Sequence, residues 1–356
     1  MNRILIIKLG SIGDIVHTLP SLLALKASFP HAQIDWLVEK KASNILKNHP
    51  GLNQVIEVDT QQWRRSFWRK QLYQEMLSCV TQLRRRHYDV AFDFQGLWKS
   101  AAFGFVSGCK CLVGFDKAHL KEPSCRILYG QTVSPSGADT HVIELNQALV
   151  RSQGATTGPV AFELNVAKAD RSYINAQLVA HGLNEFIILN PGSGWVTKNW
   201  APVNYGLLHN RIKKQLGMST VLTWGPGEEG LVKEVMATCQ SEPPVTFPTT
   251  IPQFIALACR ARLFVGGDTG PLHLAAACNT PVVGIFGPTD PLRNGPFDKS
   301  DLVVSQPVPC GPCYKRTCEK YRCQCLTLVT VEQVFTAILN RMNNSKPTSL
   351  TRFKAI

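Results

Sequence analysis

The sequence predicts an α/β protein of two domains, each built on a parallel sheet that helices cover on both faces. The chain has 356 residues, about twice the ~150 residues of an ordinary domain. Short apolar runs alternate with helical stretches along its length, which is typical of sheets buried on both faces. A weakly patterned stretch, 154–167, separates two such series. In open α/β sheets ligands bind beyond the carboxyl ends of strands, so the loops that follow strands are the candidate functional segments.

Each predicted strand is a short run rich in β-branched, leucine or aromatic residues. The ten strands are Ile4–Ile7, Ile34–Val38, Val55–Val58, Val90–Phe94, Leu112–Phe115, Phe186–Leu189, Thr220–Trp224, Leu263–Val265, Val282–Phe286 and Leu302–Val304. Helical periodicity predicts Asp14–Ser28, Lys70–Arg86, Val203–Leu216, Glu228–Cys239, Ile251–Arg260 and Pro271–Cys278.

Composition and charge narrow the class of protein. The hydrophobic content is 44%, too high for a disordered chain, and no run reaches the ~18 apolar residues of a membrane span. The start, MNRILIIKLGSIGD, predicts a first strand rather than a signal peptide, so we expect a cytoplasmic location. The net charge is +13, and residues 61–130 hold twelve basic and five acidic residues. A basic surface attracts nucleic acid, anionic lipid or a phosphorylated substrate.

The first candidate site is the loop after the first strand, Leu9-Gly10-Ser11-Ile12-Gly13-Asp14. Its two glycines let the backbone approach a ligand closely, and a helix is predicted to begin at Asp14. The spacing fits neither a dinucleotide fingerprint nor a P-loop. Asp14 is therefore either a helix N-cap or a general base whose ionised form the helix dipole favours.

Three loops in the second half suit a phosphorylated ligand. The stretch 265–273, Val-Gly-Gly-Asp-Thr-Gly-Pro-Leu-His, places a hydroxyl and backbone N–H groups at a helix start, where a pyrophosphate would bind. The stretch 190–200 carries Ser193 and Lys198, which could hold phosphate oxygens. The stretch 224–229, Trp-Gly-Pro-Gly-Glu-Glu, is shorter. Each of the three could instead be an ordinary capped turn.

A basic region with interleaved tryptophans lies in the first half, at 63–65, 95–100 and 117–122. Arg and Lys beside Trp suit nucleic acid through stacking and phosphate contacts. They equally suit a phosphorylated or carboxylated sugar. A solvated basic face is a third interpretation.

Five cysteines crowd into sixteen positions near the end of the second half: Cys310, Cys313, Cys318, Cys323 and Cys325. Such spacing could hold zinc or iron tetrahedrally, form redox-labile disulfides, or remain a set of reduced structural thiols. We expect this segment to lie away from the loops assigned to chemistry and to serve structure.

Together these segments resemble the ADP-heptose:lipopolysaccharide heptosyltransferases, the glycosyltransferase family 9 of GT-B enzymes. The resemblance runs from Met1 to about residue 340. Its most specific pieces are 11–20, Ser-Ile-Gly-Asp-Ile-Val-His-Thr-Leu-Pro, 268–277, Asp-Thr-Gly-Pro-Leu-His-Leu-Ala-Ala-Ala, and 286–291, Phe-Gly-Pro-Thr-Asp-Pro. It implies two Rossmann-like domains facing a central cleft: residues 1–165 for the acceptor, 166–330 for the ADP-sugar, and a C-terminal helix and frayed tail over 331–356.

The resemblance also implies an activity. The family transfers L-glycero-D-manno-heptose, with inversion, from ADP-heptose to the Kdo/heptose inner core of lipopolysaccharide on a lipid A-linked acceptor. No metal or other cofactor is required for this reaction. The expected location is the cytoplasmic face of the inner membrane, in peripheral contact with anionic lipid, and nucleic acid is not an expected partner.

The resemblance assigns roles residue by residue. Asp14 matches the catalytic base. The donor-binding positions are Ser193, Thr197, Lys198, Trp224, Glu228, Thr249, Asp268, Thr269, Gly270 and His273. The acceptor-binding positions are Ser11, Gly13, Arg64, Arg65, Gln95, Lys99 and Lys121. A candidate structural zinc or iron site comprises Cys310, Cys313, Cys318 and Cys325.

Two features bear on which heptose is added. First-heptose enzymes usually carry Arg-Glu-Pro where this chain has Lys121-Glu122-Pro123, and a lysine cannot grip a carboxylate bidentately. The cysteine cluster looks like one in second-heptose members. Thr18-Leu19-Pro20, Trp63-Arg64 and Lys121-Glu122-Pro123 favour heptosyltransferase I.

Other activities share parts of this pattern. Heptosyltransferase II, or another nucleotide-sugar transferase of the family, is the alternative, and a GT-B sugar-nucleotide epimerase is a more remote one. A nucleic-acid-binding protein would explain the charge, but not the clustered loops after strands.

Overall fold

The computed structural model describes residues 1–65, 70–240, 242–319 and 322–344. The chain divides into two compact units, Met1–Asn165 and Val166–Ile356. Each unit is an α/β structure on one parallel sheet.

The first unit contains a six-stranded sheet in the order β3-β2-β1-β4-β5-β6, with every neighbouring pair parallel. Its strands are β1 Arg3–Ile7, β2 Gln33–Glu39, β3 Gln54–Val58, β4 Val90–Asp93, β5 Cys111–Phe115 and β6 Gln131–Val133. Its α-helices are α1 Ile12–Val16, α2 Leu19–Ser28, α3 Thr60–Arg65, α4 Lys70–Arg85, α5 Trp98–Val106 and α6 Val142–Arg151. Short 3-10 helices span Lys40–Ile45 and Pro123–Leu128.

The second unit contains a five-stranded parallel sheet in the order β11-β10-β9-β7-β8. Its strands are β7 Phe186–Asn190, β8 Ser219–Leu222, β9 Leu263–Gly267, β10 Val282–Phe286 and β11 Leu302–Ser305. Its α-helices are α7 Lys168–Ala180, α8 Pro202–Leu216, α9 Glu229–Ala237, α10 Ile251–Ala258, α11 Gly270–Ala277, α12 Pro291–Asn294, α13 Gln324–Thr327 and α14 Val331–Asn343. A 3-10 turn spans Val196–Lys198.

Strand order creates a switch point in each of the two sheets. In the first sheet the chain runs outward from β1 to β3 and then returns to place β4 on the other side of β1. In the second sheet β8 and β9 flank β7 in the same way. At such a switch point the loops leave in opposite directions and open a crevice at the carboxyl ends of the strands. The loops after β1 and β4, and those after β7 and β9, are therefore placed for ligand binding.

The core of each unit follows from its apolar strands. In the second unit, residues of β7, β9 and β10 pack with α8 and α14 around Trp200, whose indole donates to the Val329 carbonyl at 2.9 Å. Helix α14 is further fixed by a buried ion pair, in which Arg341 Nε lies 2.8 Å from Asp301 Oδ1. The last helix is thus an integral part of the second unit.

All ten predicted strands are present, each within one or two residues of its predicted ends. Strand β6 was not predicted. The expectation of one helix over 14–28 is wrong, because α1 ends at Val16 and α2 begins at Leu19. Pro20 in the first turn of α2 has no N–H to donate to the preceding turn, and Thr18 is the N-cap of α2.

No helix in the described part of the chain has the length and apolar character needed to cross a membrane.

Candidate active site

The switch point of the first unit brings Lys8 against the end of β4. Lys8 follows β1 directly, and its side chain is 5% exposed. Its Nζ donates a 2.7 Å hydrogen bond to the Phe94 carbonyl, which follows β4. The same Nζ lies 3.6 Å from Asp14 Oδ1. A buried cation and a carboxylate therefore face each other at this edge of the sheet.

Asp14 is the third residue of α1 and not its N-cap, which is Ser11. Its Oδ2 accepts from the Ser11 backbone N–H at 2.7 Å and from the Ser11 hydroxyl at 3.2 Å. Its side chain is 28% exposed, so a substrate can reach it. The interpretation of Asp14 as an N-cap is therefore wrong, although its Oδ2 does accept from the N-cap residue Ser11. The other oxygen, Oδ1, faces Lys8.

Charge near Asp14 keeps the carboxylate ionised. Burial alone would raise its pKa, but Lys8, Lys121 and the Ser11 hydrogen bonds together hold the pKa below its usual value. The expected helix dipole is a weak source here, since α1 has only five residues. The two lysines supply the positive charge instead.

A buried carboxylate shapes the loop after β4. Asp93 accepts hydrogen bonds from the backbone N–H groups of Gln95 and Gly96 and from the Ser100 and Tyr129 hydroxyls, at 2.7–3.2 Å. Burial nevertheless raises its pKa. The Gln95 amide oxygen is buried and has no hydrogen-bond partner among the described residues. That oxygen is a buried acceptor available to a ligand.

The other expected acceptor residues lie around this edge with their own partners. Lys99 Nζ lies 3.2 Å from Glu39 Oε1 and from the Thr60 hydroxyl. Lys121 lies close enough to Asp14 to affect its pKa, and Gly13 is buried in α1. The side chains of Arg64 and Arg65 fall outside the described residues.

The switch point of the second unit joins the loops after β7 and β9 by an ion pair. Lys198 Nζ lies 2.6 Å from Asp268 Oδ2 and donates to the Asp268 carbonyl at 3.2 Å. His273 Nε2 lies 3.0 Å from the other carboxylate oxygen. Burial alone would raise the pKa of Asp268, but His273 and Lys198 hold that pKa well below its usual value. Asp268 is therefore a fixed anion between two basic groups.

Three buried polar atoms at this edge have no hydrogen-bond partner among the described residues. They are Asn190 Oδ1 at the end of β7, Thr269 Oγ1 after β9, and Thr289 Oγ1 after β10. Thr269 is also the N-cap of α11, whose first residue is Gly270. A buried polar atom without a partner is costly, and such atoms are rare in native structures. Their convergence at the ends of adjacent strands is what a polar ligand site requires.

The remaining expected donor residues shape the surrounding loops. The Ser193 hydroxyl lies 2.6 Å from the Trp195 carbonyl oxygen and also within hydrogen-bond distance of the Asn199 side-chain oxygen, so it closes its own loop. A carbon placed on Gly192 would come within 2.1 Å of a Glu228 carboxylate oxygen, so only glycine allows this close approach.

The loop after β8 is closed in a similar way. Glu228 accepts from the Gly225 N–H at 2.7 Å, and the Trp224 indole donates to the Thr246 hydroxyl at 3.0 Å. Thr249 is half-buried and precedes Thr250, the N-cap of α10. Glu228 therefore brings the loop after β8 against Gly192 in the loop after β7.

The expectation that the cysteine segment lies away from the chemical loops is wrong. The Thr197 hydroxyl donates to the Lys315 carbonyl at 2.8 Å. The Arg316 guanidinium lies 5.0 Å from the centre of the Trp195 ring, and Lys198 Nζ lies 4.5 Å from the same ring. The segment is therefore packed against the loop after β7.

The five clustered thiols line one small pocket together with Thr197, Pro288 and Lys315. All of them are free thiols, and the Cys323 N–H donates to Cys318 Sγ at 3.3 Å. Burial, together with the neighbouring thiols, raises the pKa of Cys325 to about 11. Among the described residues, no three His, Cys, Asp or Glu side chains are arranged to hold a metal ion.

Lys8, Asn190 and Arg316 are site residues that the sequence reasoning did not select. A signal for two of them was available: Lys8 and Asn190 are polar residues that directly end or follow an apolar strand. No such signal was available for Arg316. This residue reaches the site because its own segment packs on Thr197, and the two contacting residues, Thr197 and Lys315, are 118 positions apart in the chain.

Comparison with known proteins identifies the family. The sequence profile described as glycosyltransferase family 9 (heptosyltransferase) matches residues 76–323, more than half of the chain. The chain belongs to glycosyltransferase family 9. It is therefore a glycosyltransferase, and the resemblance read from the motifs is confirmed.

Individual relatives of this family 9 member agree over nearly its whole length. Lipopolysaccharide heptosyltransferase 1 of Pseudomonas aeruginosa is 30% identical over 317 residues, 89% of this chain and 87% of the relative. The protein of the same name from Escherichia coli K12 is 26% identical over 306 residues, covering 86% and 94%. The structure of E. coli heptosyltransferase WaaC with ADP gives a TM-score of 0.77 at 24% identity, covering 95% and 99%. That likeness confirms the two-domain α/β GT-B fold.

Proposed function

We propose that this glycosyltransferase is lipopolysaccharide heptosyltransferase I, which moves heptose from ADP-heptose to the Kdo residue of a lipid A-linked acceptor. The observation that carries this proposal is the near full-length similarity to proteins named lipopolysaccharide heptosyltransferase 1. The first unit would bind the acceptor and the second unit the donor.

Asp14 is the general base in this proposal. An acceptor hydroxyl attacks the anomeric carbon on the face opposite the departing ADP, and Asp14 takes the hydroxyl proton. The Oδ1 atom suits this role, since Oδ2 is already used by Ser11 while Oδ1 faces Lys8 at 3.6 Å. A pKa below the usual value keeps the carboxylate ready to accept a proton at neutral pH.

The leaving ADP gains negative charge, and the second unit offers groups that would meet it. Lys198 uses two of its three N–H bonds on Asp268 in the described structure. The third can donate to a phosphate oxygen. Thr269 adds an unpartnered hydroxyl at the start of α11. These groups act where charge develops, which is where electrostatic stabilisation speeds a reaction.

The first unit offers cations and a buried amide for the acceptor. Kdo is carboxylated and lipid A is phosphorylated, so both suit Lys99, Lys121, Arg64 and Arg65. The unpartnered Gln95 oxygen could accept from a sugar hydroxyl. Lys121 would meet a carboxylate as a point charge rather than as a bidentate fork.

Mass spectrometry of the reaction with ADP-heptose and Kdo-lipid A tests the proposal. The expected product is the acceptor carrying one added heptose, and the Asp14→Asn variant is the control for background transfer. Transfer only to an acceptor that already carries heptose would identify heptosyltransferase II instead. Conversion of the donor without an acceptor would identify an epimerase.

The proposal places the protein on the cytoplasmic face of the inner membrane, in peripheral contact with anionic lipid. The net charge of +13 supports attraction to such a surface. Helix α4 also exposes Tyr73, Met76 and Leu77, which could enter the lipid headgroup region. Sedimentation with anionic and with neutral vesicles tests this placement, and equal sedimentation with both would contradict it.

Catalysis in this scheme needs no metal or other cofactor. The cysteine cluster does not fit a metal site well, because its described thiols share a pocket without three of them being arranged around one ion. We therefore assign Cys310, Cys313, Cys318 and Cys325 to thiol packing. Elemental analysis of protein purified without chelator tests this assignment, and about one zinc or iron per chain would overturn it.

A further inference from the structure

Lys8 is an unusual residue for the place it occupies. Lysines are almost never fully buried unless they are paired, yet this side chain is 5% exposed at the switch point between β1 and β4. Its backbone is fixed on both sides: the Lys8 N–H donates to the Leu37 carbonyl at 3.3 Å, and the Trp36 indole donates to the Lys8 carbonyl at 3.1 Å. The sheet edge thus determines where this ammonium lies.

Two contacts of the ammonium, a short one and a longer one, bear on its role. It donates to the Phe94 carbonyl at 2.7 Å, and it lies 3.6 Å from Asp14 Oδ1. The longer separation is beyond a strong hydrogen bond, but two opposite charges at that distance still attract appreciably in a partly buried site. The charge of Lys8 therefore orients the Asp14 carboxylate, while Oδ1 forms no short hydrogen bond with Lys8 and can still accept a proton.

We propose that Lys8 is a positioning residue for the reaction, whose buried ammonium orients the Asp14 carboxylate and keeps it ionised. This inference rests on the proposed heptosyl transfer, in which Asp14 is the base. Lys8 does not exchange a proton during the reaction. The acceptor O–H bond breaks and its proton passes to Asp14, a bond forms from the acceptor oxygen to the anomeric carbon, and the bond to ADP breaks with its electron pair leaving on phosphate.

The other groups around Asp14 do not replace Lys8. Ser11 contacts only Oδ2 in the described structure. Lys121, from the segment before the Pro123–Leu128 turn, is the second cation near Asp14, but it has a smaller effect on the Asp14 pKa than Lys8 has. Loss of the Lys8 charge therefore leaves Oδ1 without its principal cation, whereas Ser11 still caps the helix.

The test measures turnover from about pH 3 to about pH 9 for the wild type, Lys8→Met and Lys8→Arg, with ADP-heptose and Kdo-lipid A. The range begins this low because the Asp14 pKa lies below its usual value in the wild type. Lys8→Met should lower kcat by ~10- to 100-fold, as a misplaced catalytic group does. The acidic limb of its pH profile should move to higher pH, since Asp14 without the cation is protonated more readily. Lys8→Arg should retain the wild-type limb and recover part of kcat, because it keeps the charge.

Controls separate this role from a loss of fold and from a wrong function. Lys110→Met removes an exposed lysine of the same unit, paired with Asp89, and should leave kcat unchanged. ADP affinity should be the same in all variants. If Lys8→Met does not fold, Lys8→Gln, which can still donate to Phe94, carries the same expectation.

Two results would overturn the inference about Lys8. One is a folded, uncharged variant with wild-type kcat and pH profile. The other is a Lys8→Arg variant no better than Lys8→Met in both. A wild-type enzyme that transfers no heptose would instead overturn the proposed function.

Discussion

One carboxylate oxygen of Asp14 accepts from Ser11, and the other faces Lys8. The structural contribution of Asp14 can therefore be separated from its catalytic contribution by experiment. Asp14→Asn keeps an oxygen that can accept from Ser11 but cannot take a proton. We expect kcat to fall about 100-fold or more, the size of a general-base contribution, while ADP affinity stays unchanged. Steady-state kinetics and calorimetric ADP titration measure the two quantities.

A matched control for this prediction exists in the same unit. Asp59 Oδ1 accepts from the Gln62 N–H at 2.9 Å and so resembles Asp14 in its capping contact alone. Asp59→Asn should retain full turnover. Equal turnover in the Asp14 and Asp59 variants would show that Asp14 is only a cap.

The sequence predicted site residues where their position after an apolar strand is enough to place them at the sheet edge. Asp14, Lys198 and Asp268 follow apolar strands, and the fold brings such residues to the sheet edge. Their partners were not predictable in the same way. Lys8 meets Phe94 across 86 residues and Lys198 meets Asp268 across 70, distances at which composition and periodicity carry no information.

At the scale of an element, the cysteine segment is coupled to the loop after β7 by the hydrogen bond from Thr197 to the Lys315 carbonyl. Thr197→Val removes this bond with little change in shape. Losing about 1 kcal/mol of hydrogen-bond energy should weaken ADP binding by about 5-fold if the segment supports the donor loop. Calorimetric titration with ADP measures the change.

The comparison for that prediction is Thr238→Val. Thr238 donates to the Glu234 carbonyl within its own helical turn, at 3.1 Å, and lies outside the loops proposed to bind the donor, 190–199, 224–229 and 266–273. ADP affinity should not change in this variant. A Thr197→Val enzyme with wild-type ADP affinity would show that the cysteine segment packs on the loop after β7 without supporting ADP binding.

Helix α14 provides a stability prediction that depends on pH. Arg341→Met leaves the buried Asp301 without its cation, which should lower the free energy of unfolding by about 3 kcal/mol at pH 8. Burial raises the pKa of Asp301 to about 6. Below that pH the Asp301 carboxyl group is protonated in the folded state. A neutral carboxyl group can be buried without a neighbouring cation, so the loss of Arg341 then costs less stability. The loss of stability should therefore shrink as the pH falls from 8 to about 5.

Urea unfolding of the wild type and of Arg341→Met at several pH values checks this prediction. Arg211→Met is a useful comparison, since Arg211 pairs with the more exposed Glu332 at the start of the same helix and should cost less. A loss that is the same at pH 8 and pH 5 would contradict the assigned role of the Asp301 charge.

Helices and strands were predictable where their burial requires a regular pattern of apolar residues in the sequence. Most of the ten strands found from apolar runs are largely buried. The edge strand β11 is only half-buried, but its run Leu-Val-Val is apolar, whereas the half-buried edge strand β6 reads Gln-Thr-Val. The helix over 14–28 was predicted as one piece because both α1 and α2 are apolar. The break between them depends on Thr18 and Pro20, which periodicity does not weigh.

For the whole molecule, the two units give a prediction about where the nucleotide acts. ADP should slow amide hydrogen exchange in the second unit, in the loops 190–199, 224–229 and 266–273, because ligand binding stabilises the groups it contacts. The first-unit loops 8–14 and 94–100 should change less. Hydrogen-exchange mass spectrometry with and without ADP measures this difference. Protection mainly in the first-unit loops would show that donor and acceptor have been assigned to the wrong units.

If the proposed ligand binds at this edge of the second unit, the unpartnered atoms of Asn190, Thr269 and Thr289 also set which molecules are rejected there. A site that buries hydrogen-bonding groups discriminates strongly against molecules that leave those groups unsatisfied, and only weakly against molecules that are slightly too small. Deoxygenated or methylated analogues of the true ligand should therefore be excluded far more effectively than analogues that merely lack bulk. Selectivity in this enzyme would then come from the energetic penalty of an unfilled contact rather than from a tight steric fit.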